Sequence, residues 1–159
     1  MSFEKALGEA KARPSDANSL EQLASVALAE GEEERALPLL ESAAEPSSRL
    51  LQWRALLERA MDRHEEALKS FARAAALAPN DQGIAHGLAR TALEAGVPAE
   101  QHYERALHLS PGDGQVLLGL MAARVASGRG EIAEEELARI VRRSPGWIEG
   151  HAFRSRKGV

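Results

Sequence analysis

The stretch His64–Asp81, HEEALKSFARAAALAPND, decides how the whole chain reads. Within it Ala67, Phe71, Ala74 and Pro79 follow at steps of four, three and five, the spacing of one helix face with a stop at its end. The same frame returns 32 residues later as Ala99, Tyr103, Ala106 and Pro111, and 34 after that as Ala133, Leu137, Ile140 and Pro145. A fixed period of this length marks stacked supersecondary units, because one such unit cannot bury its apolar face alone. An all-α stack of antiparallel helix pairs follows, about nine to ten helices in one domain.

Working outward, four helix–turn–helix units fit residues 17–47, 48–79, 80–112 and 113–145, after an N-terminal helix within 1–16. Leu20, Leu23, Ala24 and Ala27 form the stripe of the first unit, Gly31 breaks it, and Ala36, Leu40 and Ala43 are expected to carry its second helix. The first helices of the other units take Leu51 and Ala55, Leu88 and Ala92, and Leu117 and Leu120. Each second helix ends in the same punctuation, EPSS, APND, SPGD and SPGW; proline cannot continue a helix, and Asn, Asp or Gly supplies the turn. Asp81 and Asp113 are placed to cap the helices that follow. Pro98 suits a first helical position, where its missing donor goes unmissed. Residues 146–159 read either as a capping helix or as the first helix of a truncated further unit, with Trp147, Ile148 and Phe153 as its apolar residues.

These residues resemble the tetratricopeptide repeat family, whose pattern runs about 34 residues from an aromatic through Leu-Gly and Tyr to Ala, Phe and a closing Pro. The later half of the pattern matches at Ala67, Phe71 and Pro79 and at Ala99, Tyr103 and Pro111. The earlier half is degenerate: Leu20, Leu51, Ala85 and Leu117 stand for the first aromatic, and Ala24, Ala55, Ala89 and Met121 for the small glycine. The resemblance implies a right-handed superhelical α-solenoid that binds a protein or peptide. It also implies that a lysine–asparagine clamp for a chaperone's terminal carboxylate is absent, since Glu21, Ser25 and Trp53 occupy its places. More distantly, SPGWIEGHAF and the alanine-rich units are similar to repeat regions that precede a catalytic domain in some bacterial proteins, such as 2-oxoglutarate/iron oxygenases and sulfotransferases.

Composition narrows the function classes. The 159 residues are 44% hydrophobic and 28% charged with few aromatics, ordinary for a folded domain rich in helix formers. No apolar run approaches the ~20 residues of a membrane span, and MSFEKALGEAKARPSD has charges where a signal peptide needs its apolar stretch. The absence of cysteine excludes disulfides, thiol catalysis and thiolate metal sites. A cytoplasmic protein with no membrane partner is the expectation. The net charge of -4 conceals a basic tail, Arg139, Arg142, Arg143, Arg154, Arg156 and Lys157 against Glu149 alone. That tail leaves open a weak polyanion binder, although the interleaved aromatics of nucleic-acid binders are missing.

No catalytic constellation emerges. His64, His86, His102, His108 and His151 show no paired spacing on one helix face, so neither a metal nor a cofactor is expected. His64 reads as a turn residue, His102 and His108 as outer-face residues. GDGQ and GRGE are short connections without the spacing of a phosphate loop. GEEER opens a helix at its positive dipole end. The remaining candidate is a groove along the first helices, formed by Arg49, Gln52, Leu56, Arg59, His86, Arg90, Leu118 and Ala122. Trp53 reads as core or as an anchor, and Trp147, Ile148 and Phe153 as a self-association edge for a homodimer. A non-catalytic protein-interaction scaffold is the expected function, with the N-terminal part of a larger bacterial enzyme as the alternative.

Overall fold

Side-chain caps open the first helix of every pair. Asp16 accepts from Ser19 N at 3.0 Å, Ser47 from Leu50 N at 3.1 Å, Asp81 from Ile84 N at 3.0 Å and Asp113 from Gln115 N at 2.9 Å. Each such cap contributes about 1 kcal/mol by satisfying an amide that has no partner within its helix. The computed structural model describes residues 1–143. Over them run α1 (Phe3–Ala12), α2 (Ala17–Glu30), α3 (Glu33–Glu41), α4 (Ser48–Ala60), α5 (His64–Leu77), α6 (Gln82–Glu94), α7 (Glu100–Leu109), α8 (Gly114–Ala126) and α9 (Gly130–Arg143). These first helices are α2, α4, α6 and α8; α1 is capped too, by Ser2 accepting from Lys5 N at 3.3 Å.

The second helices start differently. Left-handed backbone at Gly31 (φ 74°), Asp62 (57°), Gly96 (72°) and Gly128 (81°) turns the chain within each pair. Each turn is closed by an amide reaching back five residues: Glu32 to Ala27 O, Arg63 to Glu58 O, Val97 to Ala92 O and Arg129 to Arg124 O, at 2.8–3.1 Å. This is the bonding that ends helices at a left-handed residue, repeated here at four equivalent carbonyls. Asp62 alone lacks the freedom of glycine, and aspartate tolerates this region better than most side chains.

Two sequence expectations move. Pro38 lies inside α3 with no amide to donate, and the helix stops at Glu41, where the Ser42 hydroxyl donates to Leu39 O at 2.7 Å. Ala43 therefore sits in the connection, half-buried against the N-terminal core, rather than in the helix. Pro98 precedes α7 by two residues, because the Val97–Ala92 closure carries the chain past Gly96 before Ala99 can begin a new helix. Pro145 and the side chains of Ala133, Leu137 and Ile140 lie outside the described residues.

The core runs along the stack as three linked clusters. Phe3, Leu7, Leu20, Leu23, Leu37, Leu40 and Leu50 fill the first, Leu51, Phe71 and Ile84 the second, and Tyr103, Val116, Leu117 and Leu120 the third. α1 covers the open side of the first pair: Phe3 is buried there, the Arg35 guanidinium lies 4.7 Å above its ring, and Arg35 pairs with Glu4 at 2.7 Å. Aromatic size alternates between layers at the junctions. Phe71 of α5 presses on Gly87 of α6 and Tyr103 of α7 on Gly119 of α8, so closely that a Cβ would lie 2.5 Å and 2.0 Å from the respective rings. One junction earlier the large residue belongs to the first helix instead. Trp53 occupies the place of Gly87 and packs against the cluster that holds Leu40.

Candidate functional site

The first helices of the pairs lie side by side, α2 on α4 and α6 on α8, with α4 joined to α6 by the Arg59–Glu94 pair. Arg49 lies in the first turn of α4, exposed, with its Nε 2.9 Å from Glu21 of α2. Gln52 is half-buried, its amide nitrogen 3.1 Å from where Gly83 of α6 would carry a Cβ. Leu56 and Arg59 are half-buried on α4, His86 half-buried and Arg90 exposed on α6, Leu118 half-buried and Ala122 exposed on α8. Val125 adds an exposed aliphatic at the end of α8. Trp147, Ile148 and Phe153 lie outside the described residues.

The arginines are not equivalent. Arg59 donates Nε to Glu94 Oε2 at 2.7 Å and Nη2 to Oε1 at 2.6 Å, a bidentate bridge from α4 to α6. Arg90 approaches the same carboxylate with Nε at 3.4 Å. The hydrogen bond from Arg59 holds the Glu94 carboxyl below the usual carboxylate range, with Arg59 and Arg90 charges adding to it. Around this bridge opens a cleft of about 300 Å³, lined by Leu28, Leu56, Arg59, Ala60, His64 and Glu94 together with Asp62. Its floor is aliphatic and its rim charged. His64 is half-buried rather than a plain turn residue: Nδ1 is enclosed without a partner among the described residues, and Nε2 lies 3.8 Å from Asp62. Sequence reading missed Glu94, Asp62 and His64 here, since pairing between helices 35 residues apart leaves no local signal.

Between α6 and α8 the face has a polar floor. The His86 and Tyr103 rings meet edge to face, centroids 6.2 Å apart at 61°. Burial pushes the His86 imidazole below its ordinary value, Asp113 opposes, and Arg90 and Arg59 add to the fall; the ring is neutral at neutral pH. Burial also raises the Tyr103 phenol.

Two charged residues occupy the register that closes the turns, where α2 and α6 have Ala27 and Ala92. Glu58 is 2% exposed, accepts from the Ser70 hydroxyl at 2.5 Å and lies 3.5 Å from Arg54 Nε. Burial lifts its carboxyl above the usual range, although Ser70 and Arg54 pull the other way. Arg124 of α8 joins Glu100 and Glu104 of α7, at 3.1 and 3.7 Å, to Glu136 of α9. On the opposite side of the molecule a hollow of about 150 Å³ between α5, α6 and α7 is lined by Ala75, Ala78, Leu88, His102 and Arg105. His102 is half-buried there, and His108 is exposed.

Among the described residues no group of three or more acidic or histidine side chains is arranged to hold a metal ion, and no helix is long and apolar enough to cross a membrane. A stack of antiparallel helix pairs with their first helices side by side defines a helical-repeat fold. Residues 97–156 match the family model described as tetratricopeptide repeat. The fold is shared with solved structures at low identity. A crystal structure of MamA superposes with a TM-score of 0.79 at 16% identity, covering 92% of this chain and 83% of that one. YrrB, described as a TPR protein with an unusual peptide-binding site, gives 0.75 at 17%, covering 90% and 78%. A tetratricopeptide repeat protein from Parabacteroides merdae gives 0.74 at 18%, covering 90% and 59%. No curated protein matches the sequence significantly. The matched residues include Tyr103 and Pro111, two of those that carry the resemblance in the sequence.

Proposed function

We propose that the chain is a non-catalytic interaction scaffold that holds a peptide or protein segment along the α2–α4–α6–α8 face. The observation that carries this reading is the open cleft over Leu28, Leu56 and Ala60, where α2 and α4 leave an aliphatic floor and Glu94 of α6 joins the charged rim. Apolar floor supplies burial, and the rim fixes orientation. The description of YrrB as peptide-binding supports it by analogy of fold. Reversing the charge of Arg59 is a poor probe, because it would crowd a new carboxylate against Glu94. Ala60 is exposed at the last turn of α4, so Ala60→Arg fills the cleft while suiting the helix C-terminus. A library of random peptides panned against the full chain should yield binders that Ala60→Arg weakens at least tenfold. Binders indifferent to that change, or no enrichment at all, sink the groove reading.

A further inference from the structure

Phe71 and Tyr103 stand 32 residues apart in equivalent places, each ring pressed on a glycine of the next first helix. The difference between them is one oxygen. The Tyr103 hydroxyl runs past Gly119, where a Cβ would lie 2.7 Å from it. The residue is only 2% exposed. Its hydroxyl has no hydrogen-bond partner among the described residues, and it does not rank with Arg54 Nε, His64 Nδ1 and Arg124 Nη1 as a fully enclosed unpartnered atom there. Arg90, Glu94 and Arg59 lie within electrostatic reach of it, and its ring meets that of His86, half-buried on the groove face. Of the two guanidiniums there, Arg59 is taken up by Glu94 through two bonds. Arg90 is 57% exposed, with its Nε 3.4 Å from that carboxylate, and it makes no bidentate bridge like that of Arg59. Two cations share one anion.

The geometry points to a ligand subsite: Arg90, the Tyr103 hydroxyl and His86 together receive an acidic side chain of the segment bound in the groove. The inference rests on the groove reading and gives it a chemistry. A carboxylate accepts the free edge of the guanidinium and a short bond from the phenol, and the neutral imidazole adds a donor without adding charge. A basic side chain would face an uncompensated guanidinium, and an aliphatic one would strand the phenol without water. The subsite lies between the Leu56 cleft on one side and Leu118 and Ala122 on the other. A segment spanning both passes it mid-chain, so the carboxylate is that of an internal Asp or Glu.

The test uses the library-selected peptides, synthesised with acetylated and amidated ends, and calorimetry on the full chain. Peptides weakened by Ala60→Arg should carry an Asp or Glu whose change to Asn or Gln lowers affinity about tenfold. On the Arg90→Gln, Tyr103→Phe double variant that penalty should shrink to less than threefold. Tyr103→Phe keeps the ring that Phe71 shows the junction accepts, and a matching thermal melt confirms the fold. Cleft-dependent peptides with no acidic requirement, or a penalty undiminished in the double variant, overturn the subsite and leave the groove reading standing. Binding that demands a free C-terminal carboxylate overturns it in favour of chain-end capture. If no selected peptide responds to Ala60→Arg, the groove reading fails and the subsite with it.

Discussion

Gly87→Ala is the sharpest test of how the repeats fit together. An ideal Cβ on Gly87 lies 2.5 Å from Cε1 and 2.6 Å from Cζ of Phe71, against an optimal carbon separation of about 3.5–4.0 Å. Phe71 is fully buried, so the ring cannot swing into solvent, and either it leaves its rotamer or α6 lifts off α5. Overpacking of this kind costs about 1–3 kcal/mol. Alanine returns about 0.8–1 kcal/mol of helix propensity, leaving a net loss of up to about 2 kcal/mol, or as much as roughly 8 °C in melting temperature at this chain length. Gly8 is the control: it lies in α1 with nothing within 4 Å, and Gly8→Ala should gain up to about 1 kcal/mol. In a Phe71→Leu background the clash partner is shortened, and Gly87→Ala should become neutral or favourable. Urea unfolding of the single and double variants, followed by circular dichroism, gives the coupling energy, expected at about 1–2 kcal/mol. A Gly87→Ala protein that gains as much stability as Gly8→Ala, or a double variant whose changes simply add, refutes the interlocking argument.

Three further outcomes follow from the charges. Glu58 has a raised carboxyl pKa through burial, so its ionisation opposes folding increasingly as pH rises through the folded value and not at all below the unfolded one. Glu58→Gln should therefore stabilise the chain at neutral pH, with the gain fading in urea melts run below about pH 4. Glu94 has the opposite sign: Arg59 holds its pKa down, so its contribution is present above the unfolded value and disappears as pH falls through the folded one. Glu94→Gln should cost about 0.5–1 kcal/mol at neutral pH, the scale of a half-exposed bidentate pair, and little in acid. Arg124→Ala leaves Glu100, Glu104 and Glu136 without their shared cation; hydrogen exchange in α9 should accelerate at least tenfold while α2 and α4 are unchanged, and uniform rates across the chain contradict that role.

Most of the architecture was legible because it repeats. Alanine and leucine at helical spacing, the stops at Pro79 and Pro111, and the caps at Asp81 and Asp113 are local signals, and each agrees with the helices formed. Gly31 reads as the break after the first stripe, and it adopts left-handed backbone. What escaped depends on contacts between units. The small positions were assigned to Ala24, Ala55, Ala89 and Met121, but the residues that admit an aromatic ring are Gly87 and Gly119. A glycine inside a helix reads as a mere weakness until the ring facing it is known. Trp53 belongs to the packing reading, half-buried against the N-terminal core. The groove arginines were chosen by position alone; only the fold reveals that Glu21 holds Arg49 and Glu94 holds Arg59, leaving Arg90 as the open cation of the three.

The alternation of Trp53 with Gly87 and Gly119 also fixes the order of assembly. A stack of similar modules risks pairing the wrong neighbours during folding or between two chains. Here the α4–α5 unit has a bulky residue on both of its mating surfaces, Trp53 on one and Phe71 on the other. Two copies of it brought together would set indole against phenyl where only a glycine leaves room. The unit is sterically barred from following itself, so tandem duplication, slipped stacking and head-to-tail polymerisation through this module all meet the same obstruction.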